Sequence, residues 1–147
     1  MTVRVLLLTG TVGVGKTAVL REIGEVLRLA EVPHGRIDLD WLGFGRPAPG
    51  FEAEEEGRTL GRFGSDLVME NLAAIWPNYR ARGLTNLAVA RALEDPAREV
   101  AALQRAVPGS VVTVCRLDSA PATVEPRVAH REQGGLATPY LQALPSE

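Results

Sequence analysis

Eight consecutive residues, Gly10-Thr11-Val12-Gly13-Val14-Gly15-Lys16-Thr17, carry the most specific chemistry in the sequence. Glycine, four residues, glycine, lysine and threonine is the P-loop pattern. Its glycines let the backbone curl so that successive N–H groups converge on a phosphate. The N-terminus of a following helix adds partial positive charge at the same place. Lys16 is suited to reach the β- and γ-phosphates as a point charge, and the Thr17 hydroxyl to take a place on Mg²⁺. Thr11, Val12 and Val14 contribute backbone. The expected cofactors are therefore ATP and Mg²⁺. With glycine near 7% of residues, the pattern arises by chance in roughly one unrelated chain in a few hundred.

A competing motif lies in the same residues. Gly13-Val14-Gly15-Lys16-Thr17-Ala18 also fits G-x-G-x-x-A, the dinucleotide fingerprint, with Asp38 or Asp40 placed to hold a ribose. Lys-Thr directly after the last glycine has no role in that motif. The turn from Gly10 to Gly15 is also longer than a dinucleotide turn needs. Both points favour the P-loop.

A second candidate group is Ile37-Asp38-Leu39-Asp40-Trp41, acidic residues at the end of a short apolar run. In a parallel sheet that end faces the bound nucleotide. A carboxylate there can accept a proton from a substrate hydroxyl or hold a magnesium-bound water. Two positions apart, Asp38 and Asp40 point the same way only if the strand is extended at both. Asp40 is favoured as the base; Asp38 joins Thr17 as the metal candidate.

These residues need a scaffold, and the sequence supplies one. Val3–Thr9 is a continuous apolar run, as in strands buried on both faces. Val19, Ile23, Val26, Leu27 and Ala30 recur at helical spacing, predicting a helix over 16–30 that Pro33 stops. A second strand covers 35–39. Residues 43–65 are rich in glycine, proline and glutamate and read as a long loop. A helix over 65–82 follows, with Pro77 expected to kink or break it near Trp76. Strands are expected at 85–93 and 110–117, separated by a helix that Asp95-Pro96 opens. A short helix covers 122–133, and 136–147 is an irregular tail. Strand, helix, strand alternation is that of a parallel α/β sheet.

Composition excludes several classes. A formal net charge of −2, with 23% charged residues, gives no global basic excess for nucleic acid. The apolar run at the N-terminus is too short for a signal peptide, and no stretch approaches a membrane span. The single cysteine, Cys115, has valine neighbours and reads as a buried strand thiol. One cytoplasmic domain over 1–147 is the expectation. His34 and His130 have no partner at metal spacing. The sequence lacks the guanine-specificity motif Asn-Lys-x-Asp, and the third strand lacks the terminal acid of a motor ATPase.

The order G-T-V-G-V-G-K-T, I-D-L-D-W-L, N-L-A-A-I-W-P-N-Y, V-T-V-C-R-L and R-V-A-H-R-E resembles small P-loop kinases. These are the adenylylsulfate-kinase-like ATP-binding proteins akin to the chloramphenicol phosphotransferase and gluconate kinase group. The resemblance covers roughly residues 3–135. It implies a three-layer, nucleoside-monophosphate-kinase-like fold, Mg·ATP, and phosphoryl transfer to a hydroxyl of a small-molecule acceptor. It matches Asp38 or Asp40 to the acid at the acceptor site, and Arg127 and Arg131 to the arginines of a lid over 118–135. Four apart, those arginines share a helix face and are suited to neutralise charge in transfer. Such kinases continue into a further helix and a fifth strand, so on this resemblance the chain is short at its C-terminus. An open sheet edge would then be a place for a homodimer. The alternative is a nucleotide-binding regulatory or accessory module without catalysis. Trp41, Phe44, Trp76 and Tyr79 are candidates to line an acceptor pocket, with core packing favoured for Trp76. Asn71, Tyr79, Arg80 and Arg91 are polar groups available to the cleft.

Overall fold

The apolar run at the N-terminus becomes the centre of the sheet. In a computed structural model, which describes residues 1–45, 48–50, 64–92 and 95–120, β1 spans Val3–Thr9. It is followed by α1 (Lys16–Leu29), β2 (Gly35–Asp38), a 3-10 turn (Leu39–Leu42) and α2 (Ser65–Arg80). Then come β3 (Asn86–Ala90), α3 (Pro96–Ala106) and β4 (Ser110–Arg116). The described strands form one sheet in the order β2-β3-β1-β4, with every pairing parallel. β1 pairs on both sides, and all its residues but the exposed Arg4 and the half-buried Leu6 are buried.

Those two faces define three layers. Val3, Val5 and Leu7 of β1 join Val89, Leu72, Trp76 and Leu103 in a core under α2 and α3. Leu8 joins Leu20, Ala88 and Ala90 in a smaller core under α1. Trp76 is 2% exposed, and Tyr79 packs against the same core with its ring stacked on Trp76 at 6.5 Å. Both therefore belong to the core and not to a pocket.

Three local expectations need correction. Pro77 does not break α2, which continues to Arg80. The proline is exposed and sits in the last turn, so it removes a backbone donor where little helix remains to be lost. Asp40 is not on β2. The strand ends at Asp38, and Asp40 lies in the 3-10 turn, so the two acids are not neighbours on one strand face. Cys115 is exposed, not buried. It pairs with Leu8 across β1 and β4 and so shares the α1 face of the sheet, but α1 packs across β1, β2 and β3. The predicted helix over 122–133 and the tail 136–147 lie outside the described residues.

Parallel pairing fixes what the site contains. Leu8 registers with Ala90, and Ala90 with Asp38. The end of β1 that feeds the P-loop, the end of β3 and the acidic end of β2 therefore share one edge of the sheet.

Candidate phosphate site and adjoining groove

α1 begins with its amide groups uncapped. Gly15 precedes it in a left-handed conformation (φ 107°), no side chain caps the first turn, and no acid lies within it. α3 is the contrast: there Asp95 Oδ1 accepts from the N–H groups of Ala97 and Arg98 at 3.0 and 3.2 Å. At α1 no side chain caps the donors that a helix N-terminus presents, an arrangement suited to an external oxygen.

Two glycines shape the loop in opposite ways. A Cβ on Gly10 (φ 143°) would lie 2.5 Å from the carbonyl oxygen of Leu117, just beyond β4. Gly10 is therefore required by close packing of the chain on itself. A Cβ on Gly15 would meet nothing within 4 Å. The space in front of Gly15 is open, which fits a phosphate cradle.

Lys16 is buried, and its Nζ donates to the carbonyl oxygens of Gly10 and Thr11, both at 2.8 Å. The ammonium is thus folded over the loop it must serve and needs only to exchange these carbonyls for phosphate oxygens. Thr17 Oγ1 donates to Asp38 Oδ2 at 2.9 Å, joining the first turn of α1 to the end of β2. A hydroxyl and a carboxylate are hard oxygen donors of the kind Mg²⁺ selects. The donor set and the open cradle both fit Mg·ATP.

The other oxygen of Asp38 holds the next acid. Asp38 Oδ1 accepts from the N–H of Asp40 at 3.1 Å, capping the 3-10 turn. Asn71 Nδ2 donates to Leu42 O at 2.7 Å, tying the same turn to α2. Asp40 is half-buried beside the exposed Trp41 and Phe44, whose rings meet edge to face at 5.5 Å.

Arg91 leaves the end of β3 at the same edge, with its N–H donating to Leu8 O at 3.0 Å. Its Nη2 donates to Ser65 Oγ at 3.1 Å, and Ser65 Oγ donates to Glu99 Oε1 at 2.6 Å. This chain ties β3, α2 and α3 together beneath the cleft. Arg91 is thus engaged by the scaffold, and Arg80 is exposed at the far end of α2. Arg127 and Arg131 lie outside the described residues.

A groove of about 520 Å³ runs along this edge, lined by Gly13, Gly15, Thr17, Arg21, Arg36 and Asp38, among others. Arg21 and Arg36 carry no role in the motif reading. Two periodicities bring them there. Thr17 and Arg21 are four apart and share a face of α1, while Arg36 and Asp38 are two apart on β2. That coincidence of spacings is present in the sequence; what is absent from it is which helix face meets which strand.

Among the described residues no cluster of three or more His, Cys, Asp or Glu is arranged for a metal ion, and no helix is long and apolar enough to cross a membrane.

No protein-family model matches the chain, and no curated protein matches it. Solved structures do. A gluconokinase from Sinorhizobium meliloti 1021 aligns with a TM-score of 0.52 at 21% identity, covering 96% of this chain and 74% of that one. The crystal structure of APE1195 aligns with a TM-score of 0.54 at 17% identity, covering 96% and 72%. At these identities the likeness is one of fold. The chain shares with them a parallel α/β sheet with flanking helices.

Proposed function

We propose that this protein is an ATP-dependent phosphotransferase acting on a hydroxyl group of a small molecule. The observation that carries the reading is the Thr17–Asp38 hydrogen bond of 2.9 Å, which sets an acid of β2 against the P-loop threonine. A fold shared with a solved gluconokinase supports it. A motor-type ATPase would carry its acid at the end of β3, where this chain has Val89, Ala90 and Arg91.

When bound, Mg·ATP supplies the γ-phosphoryl group. The N–H groups of residues 10–17 hold its phosphates, and Lys16 neutralises the β- and γ-oxygens. Thr17 and Asp38 would hold the magnesium ion. Asp40, fixed by the cap from Asp38 and by Asn71, accepts the hydroxyl proton as the acceptor oxygen bonds to phosphorus and the bond to the β–γ bridging oxygen breaks. Catalysis is then mostly positioning and charge neutralisation.

The test is phosphate transfer from radiolabelled ATP to a panel of hydroxylated small molecules, with Lys16→Ala and Asp40→Asn in parallel. Transfer by the native chain that both variants lose supports the reading. Binding of Mg·ATP with no transfer to any acceptor would identify a nucleotide-binding accessory module instead.

A further inference from the structure

Among the described residues the sheet has two edges, β2 and β4, and they are built differently. β2 is four residues long, and two of them, Arg36 and Asp38, are charged. Shortness and charge are devices that keep a strand edge from pairing with another chain. β4 is seven residues long, and from Ser110 to Cys115 it carries no charge, no proline and no glycine. We infer that the outer edge of β4 pairs antiparallel with β4 of a second copy of this chain, centred on Thr113. The inference stands independently of the phosphotransferase reading.

The backbone sets which groups are available. Leu117 N–H donates to Thr9 O at 2.8 Å, and Gly109 O accepts from Val3 N–H at 3.3 Å. Odd-numbered residues along β4 therefore turn their amides towards β1, and even-numbered residues turn theirs outwards. Ser110 N–H is taken by Val107 O at 3.2 Å. The N–H groups of Val112, Val114 and Arg116, with the carbonyls of the even-numbered residues, line the outer edge.

Antiparallel pairing about a two-fold axis joins outward residues to outward residues. With Thr113 at the centre, Val112 exchanges both backbone bonds with Val114 of the second copy, and Ser110 stands opposite Arg116. This register uses the whole strand.

The side chains match in the same register. Val111, Thr113 and Cys115 pair with Arg4, Leu6 and Leu8, so they share the α1 face. Val112 and Val114 lie on the other face, opposite Val5 and Leu7. Val111 then meets Cys115 of the second copy, Thr113 meets its own counterpart, and Val112 meets Val114. Such β-branched and hydroxyl pairs favour cross-strand contact. Val111 is 58% exposed and Val114 40%, so both have apolar surface to bury. Charge favours this register too. Arg116, the one charged residue of β4, falls at the end of the ladder, about 20 Å from its counterpart. A strand that is its own complement calls for a copy of itself, and the contact closes at two subunits. A single seven-residue ladder lies at the small end of biological interfaces, so the dimer is expected to be weak and concentration-dependent.

Sedimentation equilibrium of the full chain, under reducing conditions and across the micromolar range, tests this. A monomer–dimer equilibrium is expected. Thr113 is exposed, so Thr113→Lys sets like charges face to face at the centre of the ladder without disturbing the core. It should raise the dissociation constant at least tenfold and leave the circular dichroism spectrum unchanged. Val111→Cys places a thiol opposite Cys115 of the second copy, about 4.5 Å apart between Cα atoms and within disulfide reach. On mild oxidation this variant should run as a covalent dimer on a non-reducing gel. The native chain should not, because its two Cys115 residues lie about 13 Å apart in this register. A chain that stays monomeric at the highest concentration overturns the inference. Slow hydrogen exchange at Val112, Val114 and Arg116 in that monomer would assign the edge to residues 121–147 of the same chain. A dimer that Thr113→Lys leaves intact, or in which Val111→Cys fails to cross-link, overturns it as well.

Discussion

Thr17 and Asp38, 21 residues apart in sequence, meet through a hydrogen bond of 2.9 Å at the mouth of the P-loop. One carboxylate thereby does two things. Its Oδ2 accepts from the threonine, and its Oδ1 caps the turn that carries Asp40. The two acids are coupled through this cap, so their variants should fail differently. Asp40→Asn is expected to lower kcat by about 10²–10⁴ while leaving the KM for Mg·ATP nearly unchanged. Asp38→Asn is expected to raise the Mg²⁺ concentration needed for half-maximal rate as well. Steady-state kinetics across a magnesium titration separate the two, and identical profiles for both variants would contradict this division of roles.

Lys16 should control nucleotide binding. At a hundredfold over its dissociation constant, Mg·ATP should stabilise the native protein by about 2.7 kcal/mol. For a domain of this size that is a rise in Tm of roughly 5–10 °C. Lys16→Ala should abolish the rise. A native protein that melts at one temperature with or without Mg·ATP would remove the nucleotide site.

Gly10 and Gly15 should respond to alanine in opposite ways. Gly10→Ala places a methyl 2.5 Å from Leu117 O, which forces the backbone apart and should lower Tm sharply. Gly15→Ala meets no atom and carries only the strain of its left-handed conformation, about 1–2 kcal/mol. Its methyl enters the open cradle, so the larger loss should be in the response to Mg·ATP. Paired melting curves with and without nucleotide check both.

Asp95→Ala should act on stability alone. It removes the cap that accepts from Ala97 and Arg98, at a cost of about 1 kcal/mol. Tm should fall by about 2–4 °C. The shift produced by Mg·ATP should be unchanged, because α3 packs on the face of the sheet opposite α1. A reduced nucleotide response would show that α3 communicates with the cradle.

The motif was legible because its chemistry is contiguous. Gly10 to Thr17 is one loop, and the strand before it and helix after it are strongly patterned. The sheet's parallel character followed from the alternation of strands and helices and from β1, five of whose seven residues are apolar. Asp38 and Asp40 were visible as a pair, but the point at which β2 ends is a matter of one residue, and the 3-10 turn that separates them depends on a cap that spacing does not show. Cys115 was misread because its valine neighbours describe a strand, not its position at the side of the sheet that α1 leaves uncovered. Arg21 and Arg36 escaped notice for a related reason. Each is an ordinary polar residue on its own element, and only the packing of α1 beside β2 makes them neighbours.

The interleaved strand order has a consequence in time. β1 is made first, yet its partners β3 and β4 follow it by some 80 to 110 residues. At typical rates of synthesis that delay is on the order of 5–20 s. Throughout it, the five apolar residues of β1, which belong at the centre of the sheet, have no edge to join. The contact between Gly10 and the backbone of Leu117 also forms only after β4 is made. The nascent chain must therefore keep β1 from aggregating until its last described strand leaves the ribosome.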